Sequence, residues 1–542
     1  MRTFYAADLN TAFKNKLSIL LIGGFVFLMG MMPGESFSQV VSIWTNPITG
    51  TDPGATNSYT IGDVKNANLA VSGIGSTGLA VTNGNNVYFQ NGFTSANAIN
   101  TSQYLKFLIT PNSGYRFSLN NFVYTGTAGS KNPTSFAFRS DANGDAYTTN
   151  IGSPLLTGAT IDLSGAPYQN LSAATGFRFY GWSASNPNGI YGINDFTFNG
   201  SVLGSATTAL GGFTYVYGSG PSTAQSFIIN GAGLTTSAAV VTIAGSADYE
   251  VSTTSAIAGF GATATRTSSG GSIAGATVWV RLKSGLTVNT YNETIIIGGG
   301  GVTGIPITVT GTVTKAVLTV TADPKTKVYG AVNPALTVSY SGFIGADNAG
   351  SLPTTPTATT TAVTNSPVNT YPITPAGGVS SNYTFNYVAG VLTVTKAVLT
   401  ITADPQTKVY GTANPVLTVS YSGFISGDNS ASLTTLPTIS TTAVLNSPVG
   451  SYPITASGAA SPNYTFVYVG GTLTVTKAVL TITADPQTKV YGTANPVLTV
   501  SYSGFISGDN SASLTTLPTI STTAVLNSPV GSYPITASGA AS

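Results

Sequence analysis

Histidine and cysteine are both absent from this chain. Their absence removes the commonest general base, every Ser-His-Asp or Cys-His nucleophile, imidazole- and thiolate-held metals, and disulfides. Neither a phosphate-cradling G-x-x-x-x-G-K-[ST] loop nor a dinucleotide fingerprint opening a helix occurs. Carboxylate chemistry remains, and glycoside hydrolysis needs two acids about 5–10 Å apart across a cleft. Asp141, Asp145, Asp162 and Asp195 are the acids available for it in the N-terminal region, and turns account for them better. Asp404 and Asp428 also sit in turn sequences, where Asp428 could N-cap a short helical turn over the following Asn-Ser-Ala-Ser. A non-enzyme without cofactors is expected.

Two binding chemistries are written in the side chains. Asp141, Asn143 and Asp145 place three oxygen ligands at alternate positions, as calcium loops do. The glutamate expected at loop position twelve is missing, and an Asx-rich turn between strands explains the same residues. Tyr180 and Trp182 share one face of a strand, and Tyr191, Asn194 and Asp195 follow closely. Aromatic faces beside amide and carboxylate groups suit a glycan, although large aromatics in such strands usually belong to the core. Tyr340, Tyr421 and Tyr502 fall on the apolar phase of their strands and read as core. An isopeptide bond between Lys396 and Asn463 would need a buried acid that the sequence does not supply.

Charged residues make up only 7% of the chain, against roughly 25% in average globular proteins. Hydrophobic residues reach 42%, enough for buried cores and unlike a disordered chain. The net charge of +2 has no Lys/Arg cluster behind it, so nucleic acid and anionic membranes are not expected partners. Arg2, Lys14 and Lys16 precede the apolar run Leu17 to Met32, and Ser36-Phe37-Ser38 follows. This layout predicts a secretory signal peptide over 1–38 and a secreted or cell-surface protein. The run is shorter than the roughly 20 residues that span a bilayer, and no later segment replaces it. No cysteine follows to carry a lipid anchor.

The elements that position these groups read as β throughout, with apolar and polar residues alternating between Gly, Asn and Pro. Residues 40–202 form a non-repeated domain, and 203–313 a sandwich of about 100 residues with short, evenly spaced strands. Beyond it the chain repeats. Residues 396–461 recur letter for letter as 477–542, and a diverged copy begins at Lys315. The modules are thus 315–395, 396–476 and 477–542. In the second, Leu399, Ile401 and Ala403 share one strand face. Thr395 passes to Ala397 through Lys396 alone, which predicts abutting modules and an elongated rod rather than beads on a string. The third copy breaks off inside the module, and a longer protein is therefore expected.

Tyr410-Gly411-Thr412-Ala413-Asn414-Pro415, Leu417 to Phe424, Ser447 to Thr455 and Asn463-Tyr464-Thr465-Phe466 carry a family pattern. It resembles the MBG repeat domain of the YGX type and recurs in register over about 315–542. Residues 203–313 resemble immunoglobulin-like domains of exported Bacteroidota proteins, and 40–202 are similar, more loosely, to the β-sandwich domains ahead of them. The resemblance implies a mainly β protein of tandem sandwiches, with the repeats either immunoglobulin-like or β-grasp-like. It also implies an adhesin-like surface or secreted bacterial protein whose repeats act as a stalk. A glycan-binding module in 40–202, with an extracellular glycan or surface ligand as partner, is the alternative. Another is the non-catalytic part of an exported enzyme. Oligomeric state is left open.

Overall fold

The computed structural model describes residues 41–542 apart from 51–52, 82–86 and 130. The signal peptide expected over 1–38 lies outside the described residues. Among those described, all regular structure is strand or three-residue 3-10 turn. The chain forms two compact units, one of residues up to 215 with 219–313, the other of 216–218 with 314–542.

The first unit is built on aromatic alternation. Strand Thr175–Trp182 sends Phe177 and Phe179 inward, and Tyr104–Pro111 sends Leu105, Phe107 and Ile109. These two pair with Ser135–Ser140 and Leu69–Val71 in one sheet. The facing sheet contains Ser42–Pro47, Tyr115–Ala128, Gly158–Asp162 and Gly189–Gly204. Between them Phe122 stacks on Phe138 at 4.6 Å and Trp44 on Phe198 at 5.3 Å. The indole N–H of Trp44 donates to Asp63 at 2.9 Å, so the buried ring leaves no donor unpaired.

A second sandwich grows directly from this one. Strand Gly189–Gly204 pairs with Tyr115–Ala128 from Tyr191 to Gly204, and Val202, Leu203 and Gly204 also pair with Ala232, Gly231 and Asn230. Gln225–Ala232, Ile273–Leu282 and Tyr249–Ser252 then extend the same sheet. Ala209–Val216, Val302–Thr314, Asn289–Gly299, Val240–Ala244 and Thr263–Thr267 form the opposing one. The boundary expected at 202/203 therefore falls inside a strand. Gly200 to Gly204 are all buried there. A Cβ on Gly200 would lie 2.1 Å from the Ser118 carbonyl, so glycine is what lets the two strands pass there.

In the second unit each complete module is a pair of small mixed sheets. In module one, Val338–Ser341, Ala316–Ala322 and Tyr383–Val388 make one, and Lys325–Val328, Gly390–Thr395, Thr370–Ala376 and Thr357–Thr360 the other. Ala316–Ala322 runs parallel to Tyr383–Val388, and Lys325–Val328 parallel to Gly390–Thr395. Both chain segments thus leave one sheet and enter the other side by side. Pro324 and Gly390 mark the crossings. Module two repeats every pairing, with Leu399 and Ile401 wholly buried, on the face that alternation predicts. Each complete module is thus a two-sheet β arrangement, with no α-helix packed on it among the described residues.

Module three keeps Thr481–Ala484 paired with Val500–Ser503, and Thr519–Thr522 with Ile535–Ser538. Its Leu480 and Ile482 are only half-buried. A cavity of about 620 Å³ opens among Ala484, Leu498, Tyr533 and Ile535. The crossing glycines are the sharpest steric demand of the module. A Cβ on Gly471 would lie 2.4 Å from the Ala403 carbonyl, and on Gly390 2.3 Å from that of Ala322. Gly471→Val is expected to destabilise module two by about 1–3 kcal/mol. Thermal unfolding of the full chain checks this, since Gly377→Val, where no atom lies within 4 Å of a Cβ but φ is +83°, isolates backbone strain from the clash.

Candidate functional site

In the first unit the residues singled out for glycan binding divide between the two sheets. Tyr180 and Trp182 stand on Thr175–Trp182, whereas Tyr191, Asn194 and Asp195 stand on Gly189–Gly204. Tyr191 is fully buried and stacks on Phe179 at 5.5 Å. Tyr180 points away from the core but is covered, with Tyr104 at 5.5 Å and the Arg139 guanidinium over its ring. Arg178 caps Tyr147 and Tyr104 at 3.6 and 4.2 Å on the same outer face. A cation–π layer has replaced the solvent-facing aromatic platform. Neither tyrosine offers a ring face to a sugar, and Trp182 alone of the three aromatics stays half-exposed. Asn194 accepts from the Thr127 hydroxyl and Asp195 from that of Thr125.

The candidate calcium ligands form a turn. Ala142–Gly144 is a 3-10 turn with Asn143 left-handed at φ 55°. Asp141 accepts from the Gly176 amide at 2.6 Å and the Tyr147 hydroxyl at 2.8 Å. Asp145 accepts from the Thr148 amide and hydroxyl, each at 2.7 Å, and these bonds hold its carboxyl down to about 2. Asp162 binds the Ser164 amide at 2.9 Å. Protein donors thus occupy these acids, for Asp145 and Asp162 within their own Asx-type turns and for Asp141 partly from strand Thr175–Trp182.

The repeats hold a more organised set of polar groups. Lys408 is buried, and its ammonium donates to the carbonyls of Val444, Thr412 and Leu445 at 2.5, 3.2 and 3.2 Å. Lys327 does the same to Val363, Ala331 and Thr364, and burial lowers its pKa. Three carbonyls satisfy all three N–H donors without any carboxylate. Each cage ties the strand before Val-Tyr-Gly to a turn of the opposite edge. Lys396 at the junction donates to the Ser461 carbonyl at 2.9 Å rather than to the Asn463 side chain.

Module one meets module two through a common core. Tyr329, Val394, Val368 and Tyr371 of the first pack with Ala397, Leu399, Ile425 and Tyr464 of the second. Tyr329 crosses Tyr464 edge-on at 5.6 Å. Both phenols donate to one oxygen of Asp428, at 3.0 and 2.6 Å, while the Tyr464 oxygen accepts from the Ile425 amide at 2.9 Å. Asn463 completes the joint by accepting from the Val368 amide at 3.0 Å. Asp428 is therefore not the helix cap that its position suggests. Asn429 caps Ser430–Ser432 through a capping box, and this leaves the Asp428 carboxylate to the two tyrosines. Sequence reasoning missed the joint because its partners lie in different copies. The signal was present as the recurrence of Tyr-Gly and Gly-Asp-Asn at one fixed period.

With this geometry in hand, comparison with known proteins is informative for the repeats. The family model for the MBG domain (YGX type) matches residues 318–393, 399–474 and 480–542. The three modules are MBG domains of the YGX type in tandem. No curated protein matches the chain. Among solved structures, an allantoicase is similar at 10% identity over 38% of this chain and 77% of its own, with a TM-score of 0.14. Drosophila N-cadherin EC1-3 is similar at 12% identity over 43% and 90%, also at 0.14. Superposition at that score carries no functional argument.

Two outcomes follow from the caged and clasped groups. Lys408→Met removes the buried ammonium that three backbone carbonyls share and is expected to cost about 1–3 kcal/mol, measured by chemical denaturation against Lys65→Met on an exposed strand. Burial and the neighbouring Asp347 and Asp428 raise Tyr383 and Tyr464 to about 12. The folded modules therefore hold these protons more tightly than the unfolded chain does. Their stabilisation is complete below the ordinary tyrosine value near 10 and declines as pH rises from there through about 12. Tyrosinate absorbance followed together with circular dichroism should show these two rings ionising only as the modules melt.

Proposed function

We propose that this chain is an exported, adhesin-like structural protein in which the MBG array is a spacer and carries no catalysis. The observation behind this reading is the shared core between modules one and two, joined through Lys396 with no linker. Modules that complete one another's cores transmit position from one to the next, whereas modules on flexible linkers do not. Letter-identical copies suit a part whose useful variable is length. The acids Asp141, Asp145, Asp162 and Asp195, each held by protein donors, favour a non-catalytic role. The charge pattern of the first 38 residues favours Sec export to the surface or medium.

The identical copies permit a clean test. Deleting 396–476 removes one period and carries Thr395 into 477–542, a segment letter-identical to the 396–461 that follows it now. Small-angle scattering is expected to show a shorter maximum dimension with unchanged cross-section. An unchanged maximum dimension would rule out the spacer reading. Export is checked separately: N-terminal sequencing of protein recovered from the medium or cell surface is expected to begin at Gln39.

A further inference from the structure

Val-Tyr-Gly occurs four times, at 216–218, 328–330, 409–411 and 490–492. Three of these belong to MBG modules. The first lies outside every residue matched to that family, yet clusters in the same compact unit as the repeats. There it reproduces the phenol–carboxylate bonds of the joint. The Tyr217 phenol donates to Asp347 at 3.0 Å, and the Tyr383 phenol to the same oxygen at 2.7 Å. The Tyr383 oxygen accepts from the Ile344 amide at 2.8 Å. Tyr217 crosses Tyr383 edge-on at 5.7 Å, as Tyr329 crosses Tyr464.

The glycine matters equally. Gly218, Gly330 and Gly411 all have φ near +80°, and a Cβ on them would lie 2.3, 2.5 and 2.4 Å from the side chains of Ile344, Ile425 and Ile506. Glycine both adopts this turn and lets an isoleucine lie flat on it. Tyr410 likewise hydrogen-bonds Asp509. The fourth triplet shows the uncovered form, with Tyr491 62% exposed and no atom within 4 Å of a Cβ on Gly492.

We propose that Val-Tyr-Gly is a transferable docking element. The Ile-x-x-Asp face of an MBG module, completed by the Tyr of its Asn-Tyr-Thr-Phe strand, is its receptor. The receptor reads the tyrosine hydroxyl and the bare glycine and ignores the fold that presents them. A non-MBG segment with this triplet can therefore precede an MBG array. The proposal is independent of the spacer reading, since it concerns recognition and not length.

Hydrogen exchange by mass spectrometry on the full chain tests it. Tyr217→Phe keeps the ring and removes one donor. It is expected to speed exchange over 344–348 by roughly tenfold, the worth of a hydrogen bond to a charged acceptor. Tyr329→Phe should do the same over 425–429, and Tyr491→Phe should change neither. Combining Tyr217→Phe with Asp347→Asn should be non-additive, and with Asp428→Asn additive. The proposal is overturned if Tyr217→Phe is silent where Tyr329→Phe is not, or if Tyr217 and Asp347 prove additive.

Discussion

Parallel pairing of the first strand of an MBG module with its penultimate strand governs everything else in the repeats. Ala397–Ala403 lies beside Tyr464–Val469, and the next segments, Gln406–Val409 and Gly471–Thr476, lie beside each other in the second sheet. A module is thus closed by its own two ends. Such closure depends on contacts distant in sequence, which are slow to form but set the register of all the strands between them. The last strand then stops at Thr476, one residue before the next module begins. Closure of one module accordingly fixes where the next starts, and a linker has no place in the design.

The joint follows from that economy. In module one Tyr383 and Tyr329 point to opposite neighbours, Tyr383 to Asp347 in its own module and Tyr329 to Asp428 in the following one. A hydrogen bond to a charged acceptor contributes about 1.5–3 kcal/mol at best. Fully burying one leucine or valine side chain contributes about as much, and the joint buries several apolar groups. Apolar contact therefore holds the modules together, and the phenol–carboxylate bonds set the angle at which they meet. In a chain with 7% charged residues, an ionised group retained at an interface is there for orientation. The caged lysines act similarly, fixing the turn that carries the tyrosine.

Much of this was legible in the letters. Alternation placed Leu399, Ile401 and Ala403 on the buried face, and the period located the modules. Alternation failed where two layers cover a sheet. Tyr180 lies on the outer phase, which predicts exposure, but arginines close over it. The boundary at 202/203 was misplaced because one strand runs across it, pairing with Tyr115–Ala128 and then with Gln225–Ala232. Asp428 before Asn429 looked like a cap because local sequence sees only local donors. Its true donors are Tyr464, 36 residues on, and Tyr329, 99 residues back.

Head-to-tail joints have a consequence that symmetric ones lack. Donor and receptor lie at different ends of each module, so the interface is heterologous and does not close on itself. Each added copy brings one new joint with the same geometry, and stability grows by a module term plus a neighbour term. Recent duplication can extend such an array without redesign, because an identical copy already carries both halves of the joint. The diverged first module fits this logic. It differs from the others mainly at exposed positions, with Val320 for Ile401 one of its few core changes, and keeps Tyr329, Gly330, Ile344, Asp347 and Tyr383. Its buried Leu318, Ile373, Leu392 and Val394 match Leu399, Ile454, Leu473 and Val475 as well. The joint residues answer to a partner outside the module as well as to their own core, and both constraints hold the repeats to one geometry while their exposed positions change.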